Sequence, residues 1–160
     1  MGIQLAKLSK AEVTGVDSAD KLELMRSLGF DHVVDYKKED FTRNGKLYDL
    51  IVDTKTSRPA SAIDRVLAPG GTYATVGGSA HLFGFIALKP WIRWRYKKNM
   101  VVVLLKPNSG LAKLCDLFEA GRFKPVLDQP YKFTDADMLA AFRRFGAGEH
   151  RGKIVVTVAP

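Results

Sequence analysis

Four short segments carry the side chains best suited to recognising a ligand: Asp17-Ser18, Asp35-Tyr36, Asp53-Thr54 and Val76-Gly77-Gly78-Ser79. Each directly follows a run of residues that reads as a β-strand, and ligands of open α/β sheets bind outside the carboxyl ends of the strands. A carboxylate such as Asp17 in that position can accept hydrogen bonds from ribose hydroxyls. It can equally cap the following helix, since Asp17, Ser18 and Asp20 are all cap-forming types. Lys21 has the charge to meet a sugar phosphate, or to sit solvated on a helix. Tyr36 offers a ring for a planar base, or is an ordinary strand-end aromatic. Gly77 and Gly78 let a backbone approach a ligand closely because no Cβ intervenes, as they would also permit a plain turn. Asp53 reads as structural, holding the loop after its strand. Cys115 lies on an apolar helix face, as a core thiol would. His32, His81 and His150 stand alone, with nothing at metal-ligand spacing around them, and no Gly-x-Ser-x-Gly nucleophile elbow is present.

The elements that must position these residues follow from the apolar pattern. EVTGV (12–16), HVV (32–34), YDLIVD (48–53), TYATV (72–76), MVVVLL (100–105) and KIVVTV (153–158) read as strands. The continuous apolar run Leu50-Ile51-Val52 suits a strand covered on both faces, as in a parallel sheet. Helical spacing appears over residues 20–28, stopped by Gly29, over 60–67, over 109–120, closed by Gly121, and over 135–145, capped by Thr134. Residues 2–10 read as the end of a helix, and Pro69-Gly70-Gly71 as a sharp turn. Strands alternating with helices of about ten residues predict an α/β fold with a doubly wound, mostly parallel sheet.

Composition narrows the function. The chain has 160 residues, 46% apolar and 26% charged, which is ordinary for a globular domain. A single cysteine excludes an internal disulfide and any multi-cysteine zinc cluster, and fits a cytoplasmic location. No signal peptide and no apolar run of bilayer-spanning length are apparent. The net charge of +8 would attract polyanions, but the basic residues are dispersed except for Arg93, Arg95, Lys97 and Lys98. No nucleic-acid-binding motif accompanies them, so a nucleic-acid partner is not expected. Leu82, Phe83, Phe85, Ile86, Trp91 and Trp94 mingle with that basic group as interfacial helices do. Packing of this stretch in the substrate cleft or on the missing catalytic domain is expected rather than membrane association.

The run VTGVDSADKLELMRSLGFDHVVDYKKEDF (13–41), with YDLIVDT (48–54), LAPGGTYATVGG (67–78), EAGRFKPVLDQPYKFTDADMLAAFRRF (119–145) and HRGKIVVTV (150–158), resembles the cofactor domain of the medium-chain dehydrogenase/reductase superfamily. The branch it is most similar to is the zinc-independent quinone oxidoreductases. The resemblance implies a Rossmann-like fold and hydride transfer from NAD or NADP to a quinone or enone, or alcohol/aldehyde interconversion in the zinc-bearing branches. It implies that Asp17, Ser18 and Lys21 surround the adenosine ribose, that Tyr36 lies at the adenine end, and that Val76, Gly77 and Gly78 flank the nicotinamide with Thr54 nearby. Lys21 and Tyr36 match the NADPH-using pattern of that branch, whereas Asp17 looks more like the NAD-dependent alcohol dehydrogenases. A carboxylate about 4 Å from a phosphate charge costs on the order of 4 kcal/mol at an effective dielectric of 20. The choice of nucleotide therefore stays open at this point.

The departure from the family pattern is as informative as the match. No G-x-G-x-x-G occurs, and with it would go the helix N-terminus and amides that hold a pyrophosphate. The expectation is a C-terminal fragment lacking the catalytic domain, the glycine-rich loop and the first Rossmann strand, inactive alone. It would comprise a partial dinucleotide-binding domain, 1–132, and a helix and strand, 133–160, that return to the catalytic domain in a complete enzyme. The missing strand would leave buried backbone groups unpaired, so the gap is expected to be filled by rearrangement, by a second copy, or poorly. A non-enzymatic alternative is a dimerising fragment that pairs through Met100, Val101, Val102, Val103, Leu104 and Leu105, an edge that would otherwise invite aggregation.

Overall fold

A computed structural model of the chain describes residues 2–76, 97–104, 106 and 109–158. In chain order the elements are α1 (Gly2–Leu8), β1 (Thr14–Asp17), a 3-10 turn (Ala19–Lys21), α2 (Leu22–Ser27), β2 (His32–Asp35), a second 3-10 turn (Phe41–Arg43), β3 (Tyr48–Asp53), α3 (Ala60–Val66), β4 (Leu67–Thr75), β5 (Asn99–Val102), α4 (Leu111–Glu119), β6 (Tyr131–Lys132), α5 (Asp135–Gly146) and β7 (Val156–Thr157). Each of the six strands predicted from apolar runs is represented, and all the strand pairs are parallel. The α/β class with parallel sheets holds. Gly77, Gly78 and the aromatic-basic stretch 82–96 lie outside the described residues.

The backbone forms two compact units, one of Met1–Lys37 with Gly110–Pro160 and one of Lys38–Ser109. In the first, β1 pairs with β2 in the register Thr14↔His32 to Asp17↔Asp35. Gly15 of β1 admits the α2 side: a Cβ there would fall 2.2 Å from Met25 Cε and 2.6 Å from Phe30 Cδ1. Gly29, at φ +95°, ends α2 in the left-handed geometry that a side chain would resist. The same unit pairs β6 with β7. Strand β6 has no precursor in the sequence reading, and the strand expected over 153–158 contracts to two residues plus a bridge from Lys153 to Leu127. Thr134 caps α5 as expected, its hydroxyl accepting the Asp137 amide at 3.3 Å.

The second unit carries the sheet β3-β4-β5 and a core of Ala60, Ile63, Leu67, Tyr73 and Met100, with Phe41 and Ile51 packed against it. The Pro69-Gly70-Gly71 turn falls inside β4, where the register against β3 slips between Tyr48 and Leu50. Among the described residues no strand pairs with the outer edge of β3, and its Leu50 and Val52 are 60% and 62% exposed. The apolar run Leu50-Ile51-Val52, expected to be covered on both faces, is therefore exposed at Leu50 and Val52. Two other expectations change. Cys115 is exposed rather than a core thiol, because α4 buries none of its residues. Lys98 is not part of a free basic cluster: it is buried, and its ammonium donates to Asp64 O at 2.6 Å and to Asp64 Oδ1 at 3.1 Å.

Two charged clasps in the first unit give a pH prediction. Lys7 donates to the Asp31 carboxylate, which also accepts the Val13 amide at 2.7 Å. Arg144 Nε donates to Asp128 Oδ2 at 2.6 Å. Those cations hold both carboxyls below the ordinary carboxylate range. A lowered folded pKa adds stability that is present above the unfolded value and is lost as pH falls through the folded one. Thermal melts stepped from pH 6 to 2 are therefore expected to hold steady to about pH 4 and fall below it. Asp31→Asn and Asp128→Asn are expected to flatten that fall; an unchanged slope in both would remove these clasps from the account.

Candidate functional site

The β1–β2 register sets Asp17 opposite Asp35, so the residues after both strands emerge side by side. The Tyr36 amide donates to Asp17 O at 3.2 Å, which anchors Tyr36 beside Asp17. Tyr36 is 50% exposed, with Lys37 Nζ 6.0 Å from its ring centroid. Asp35 is buried, and its Oδ1 accepts the Lys37 amide at 3.0 Å. Asp17 Oδ1 accepts the Ser18 amide at 2.8 Å and lies 3.4 Å from Ser18 Oγ. The Ser18 side chain makes no cap bond to the 3-10 turn that follows. The Asp17 side chain remains 41% exposed. The Asp17 carboxylate and the Tyr36 side chain are both exposed at the carboxyl ends of these paired strands.

Lys21 has a commitment that no local pattern signals. Its ammonium donates to Gly148 O at 2.7 Å and sits 3.6 Å from Asp17 Oδ1, with the side chain only 19% exposed. The partner carbonyl lies 127 positions along the chain, at the end of α5. Of the residues the sequence singles out, the first unit thus brings Asp17, Ser18, Lys21 and Tyr36 together. Gly148 joins them without having been anticipated.

Thr54 and Val76 lie in the second unit, directly beyond the paired residues Asp53 and Thr75 at the carboxyl ends of β3 and β4. Asp53 Oδ1 accepts the Lys55 and Thr56 amides, both at 2.8 Å, and Oδ2 accepts the Tyr73 hydroxyl at 3.0 Å. The Asp53 carbonyl accepts the Val76 amide at 2.9 Å. Thr56 is fully buried at φ +52°, its hydroxyl against that of Thr75. A β-branched residue held at positive φ costs on the order of 1–3 kcal/mol and persists only where its surroundings over-determine it. The Asp53 carboxylate and the Thr75 hydroxyl provide that here.

Burial, with the neighbouring Asp53 carboxylate second, pushes the Tyr73 phenol up to about 12. The unfolded phenol titrates near 10, so its contribution is complete below that pH and is lost as pH rises through the folded value. Wild-type stability is expected to drop between pH 10 and 12 in alkaline melts. Tyr73→Phe should lose most of that drop, and an identical alkaline slope in the variant would contradict it.

Among the described residues no three of His, Cys, Asp and Glu gather as a metal site. His32 is taken up by Glu12 at 2.7 Å and His150 stacks on Phe145 with centroids 5.2 Å apart. Neither histidine belongs to a donor set that fits a zinc ion. Nor is any helix among the described residues long and apolar enough to cross a membrane.

The family described as zinc-binding dehydrogenase matches residues 28–156. A chloroplast envelope quinone oxidoreductase homolog of Arabidopsis thaliana is 30% identical over 159 residues, covering 96% of this chain and 47% of that protein. A 2-methylene-furan-3-one reductase of Solanum lycopersicum is 30% identical over 160 residues, covering 99% of this chain and 37% of that protein. Among solved structures, an NAD-dependent alcohol dehydrogenase superposes with a TM-score of 0.78 at 25% identity, over 98% of this chain and 47% of that one. The chain spans less than half the length of each of these relatives.

Proposed function

Since the chain belongs to the zinc-binding dehydrogenase family, we propose that it is the cofactor-binding portion of an NAD(P)H-dependent oxidoreductase, inactive by itself. The substrate class is a quinone, an enone or an aldehyde, in keeping with the quinone oxidoreductase and reductase relatives. The observation that carries this reading is the Asp17 carboxylate, exposed at the end of β1 and anchored beside Tyr36. That pair fits an adenosine: Asp17 accepts ribose hydroxyls and Tyr36 lies against the base. Ser18 steadies Asp17, and Thr54, Val76, Gly77 and Gly78 serve the nicotinamide side. When bound, the nicotinamide supplies or accepts a hydride; the residues of this chain hold and orient it.

The same geometry favours NADH. Lys21 is drawn to Gly148 O and Asp17, so its ammonium is committed before a 2′-phosphate could arrive, and Asp17 would repel that phosphate. Titration of the 160-residue chain with NADH and NADPH, followed by heat or fluorescence, tests both parts. Tighter binding of NADH is expected. Tighter NADPH would overturn the preference, and binding of neither at millimolar concentration would overturn the site.

The division after residue 132 belongs to this reading. Met138, Ala141, Phe142, Phe145, Ile154 and Val156 line an apolar hollow of about 280 Å³, and Phe142 and Phe145 are 67% and 63% exposed. Such a face suits packing on a catalytic domain in a longer enzyme. A second, non-enzymatic reading is favoured by the partial exposure of Val101, Val102 and Val103 and the 78% exposure of Leu104: β5 pairs with its copy across a two-fold axis. Light scattering behind size exclusion decides that, since a monomer at high concentration eliminates the dimer. The cytoplasm is the proposed compartment, in line with one exposed thiol and no disulfide partner.

A further inference from the structure

We propose that Lys21 determines specificity through α5: its ammonium caps the end of that helix, so a 2′-phosphate can recruit it only by releasing the cap. The inference deepens the nucleotide-binding reading above and rests on it. Helix α5 closes in a Schellman motif, the Gly148 amide donating to Phe145 O at 3.0 Å and the Glu149 amide to Arg144 O at 3.2 Å. Gly148, at φ +69°, takes the left-handed geometry that this motif requires. Those two bonds serve carbonyls inside the helix, and the Gly148 carbonyl lies beyond them. Its donor is the Lys21 ammonium at 2.7 Å, 127 positions away in sequence. A cation placed there also meets the negative end of the helix dipole.

The same ammonium lies 3.6 Å from Asp17 Oδ1, and it is the more sheltered of the pair, 19% exposed against 41%. Both ends of the link belong to the first unit. The segment after Gly148 reaches the same place. The Ser18 hydroxyl, with Lys21 and Arg151 behind it, holds the Asp20 carboxyl below the ordinary carboxylate range. An unphosphorylated ribose asks nothing of Lys21, since its hydroxyls donate to Asp17. A 2′-phosphate instead draws the ammonium outward, away from Gly148 O. The helix end then loses the donor that Lys21 supplied. Phe145, whose carbonyl belongs to the cap, also lines the apolar hollow beside α5. The chemistry of the ribose is thereby coupled to the end of α5, and by reciprocity a well-capped α5 disfavours the phosphate.

The test uses the 160-residue chain with 5′-AMP and adenosine 2′,5′-bisphosphate as probes, and NMR reads exchange of the Ala147, Gly148 and Glu149 amides. Lys21→Met keeps the stem and removes the ammonium. Without nucleotide it is expected to speed that exchange roughly fivefold or more, the scale of a lost hydrogen bond to a charged group. It is expected to bind 5′-AMP within about fivefold of wild type, the reach of an exposed ion pair. In the saturated wild type, 5′-AMP should leave the three amides as they were and the bisphosphate should speed them. In Lys21→Met the two nucleotides should give the same exchange. Where Asp17 keeps the bisphosphate out of the wild type, Asp17→Ala admits it and the shift is read in that chain. Where Lys21→Met fails to fold, the comparison of nucleotides on the wild type decides alone. Unchanged exchange in ligand-free Lys21→Met overturns the cap. An equal effect of both nucleotides on the wild type, or exclusion of the bisphosphate from both chains that bind 5′-AMP, overturns the coupling and leaves the adenosine site standing. A wild type that does not bind 5′-AMP overturns the nucleotide reading and the coupling together, while the cap is still read in the ligand-free chain.

Discussion

Asp17→Ala is expected to invert the nucleotide preference, weakening NADH and strengthening NADPH. The wild-type carboxylate accepts from the ribose in this scheme, and a hydrogen bond to a charged group is worth about 1.5–3 kcal/mol, or roughly ten- to hundredfold in affinity. For NADPH the sign is opposite. Removing a charge about 4 Å from the 2′-phosphate relieves about 1 kcal/mol in water and about 4 kcal/mol at an effective dielectric of 20. Asp17 is 41% exposed, so the gain falls nearer the lower figure. The variant also dissolves the 3.6 Å ion pair with Lys21, leaving that ammonium with Gly148 O and a phosphate to choose between. Calorimetric titration of both nucleotides against wild type and variant measures the ratio directly. An unchanged ratio would show that Asp17 does not face the ribose and that its bonds to Ser18 are its whole purpose.

What the sequence conveyed about this site follows from how locally each fact is encoded. Asp17 and Tyr36 could each be placed at a strand end because each follows a short apolar run, whereas their common place at an adenosine came only with the family resemblance. Asp53 could be read as a loop-holder because an aspartate at a strand end bonds amides two and three positions on, which is a local habit of its side chain. Lys21 could not be resolved. Its state depends on Gly148, and a backbone carbonyl leaves no mark in the sequence. The phenol of Tyr73 was passed over for a related reason: in TYATV it reads as one more apolar strand residue, and only the register with β3 brings it to Asp53.

The fold divides along the same line. YDLIVD and the stop at Gly29 carry their structure in residue type and period, and both elements appear where expected. Strand β6 has two residues, too few for a period of two to show itself, and exists because β7 offers it a ladder. Cys115 reads as a core thiol because Leu111, Leu114, Cys115 and Phe118 recur at helical spacing. That spacing predicts a face to be covered, but how far it is covered is a tertiary fact, and α4 half-buries Leu114 and Leu117 while leaving Cys115 exposed.

Ile63→Ala is expected to have the largest effect on stability. Ile63 is fully buried at the centre of the second unit's core, among Ala60, Leu67, Tyr73 and Met100. Truncating a residue so placed costs about 2–5 kcal/mol, because the transfer energy of the lost methyls adds to that of an unfilled cavity. Against a total of roughly 5–15 kcal/mol for a typical domain, that is a large fraction. The core is also thin: the sheet it covers has three strands, and the exposed Leu50 and Val52 on β3 contribute little to it. Collapse of the surroundings into the cavity is therefore limited by Tyr73, whose hydroxyl is tied to Asp53. Ile63→Val, which removes one methyl, is expected to cost about 0.5–1.5 kcal/mol and serves as the graded control. Urea unfolding gives the magnitudes, and amide exchange locates them: protection should fall in β3 and β4 and persist in β1 and β2. Equal loss of protection in both units would mean that the two do not hold separate cores. A loss below about 1 kcal/mol for the alanine variant would mean that Ile63 is not central to this one.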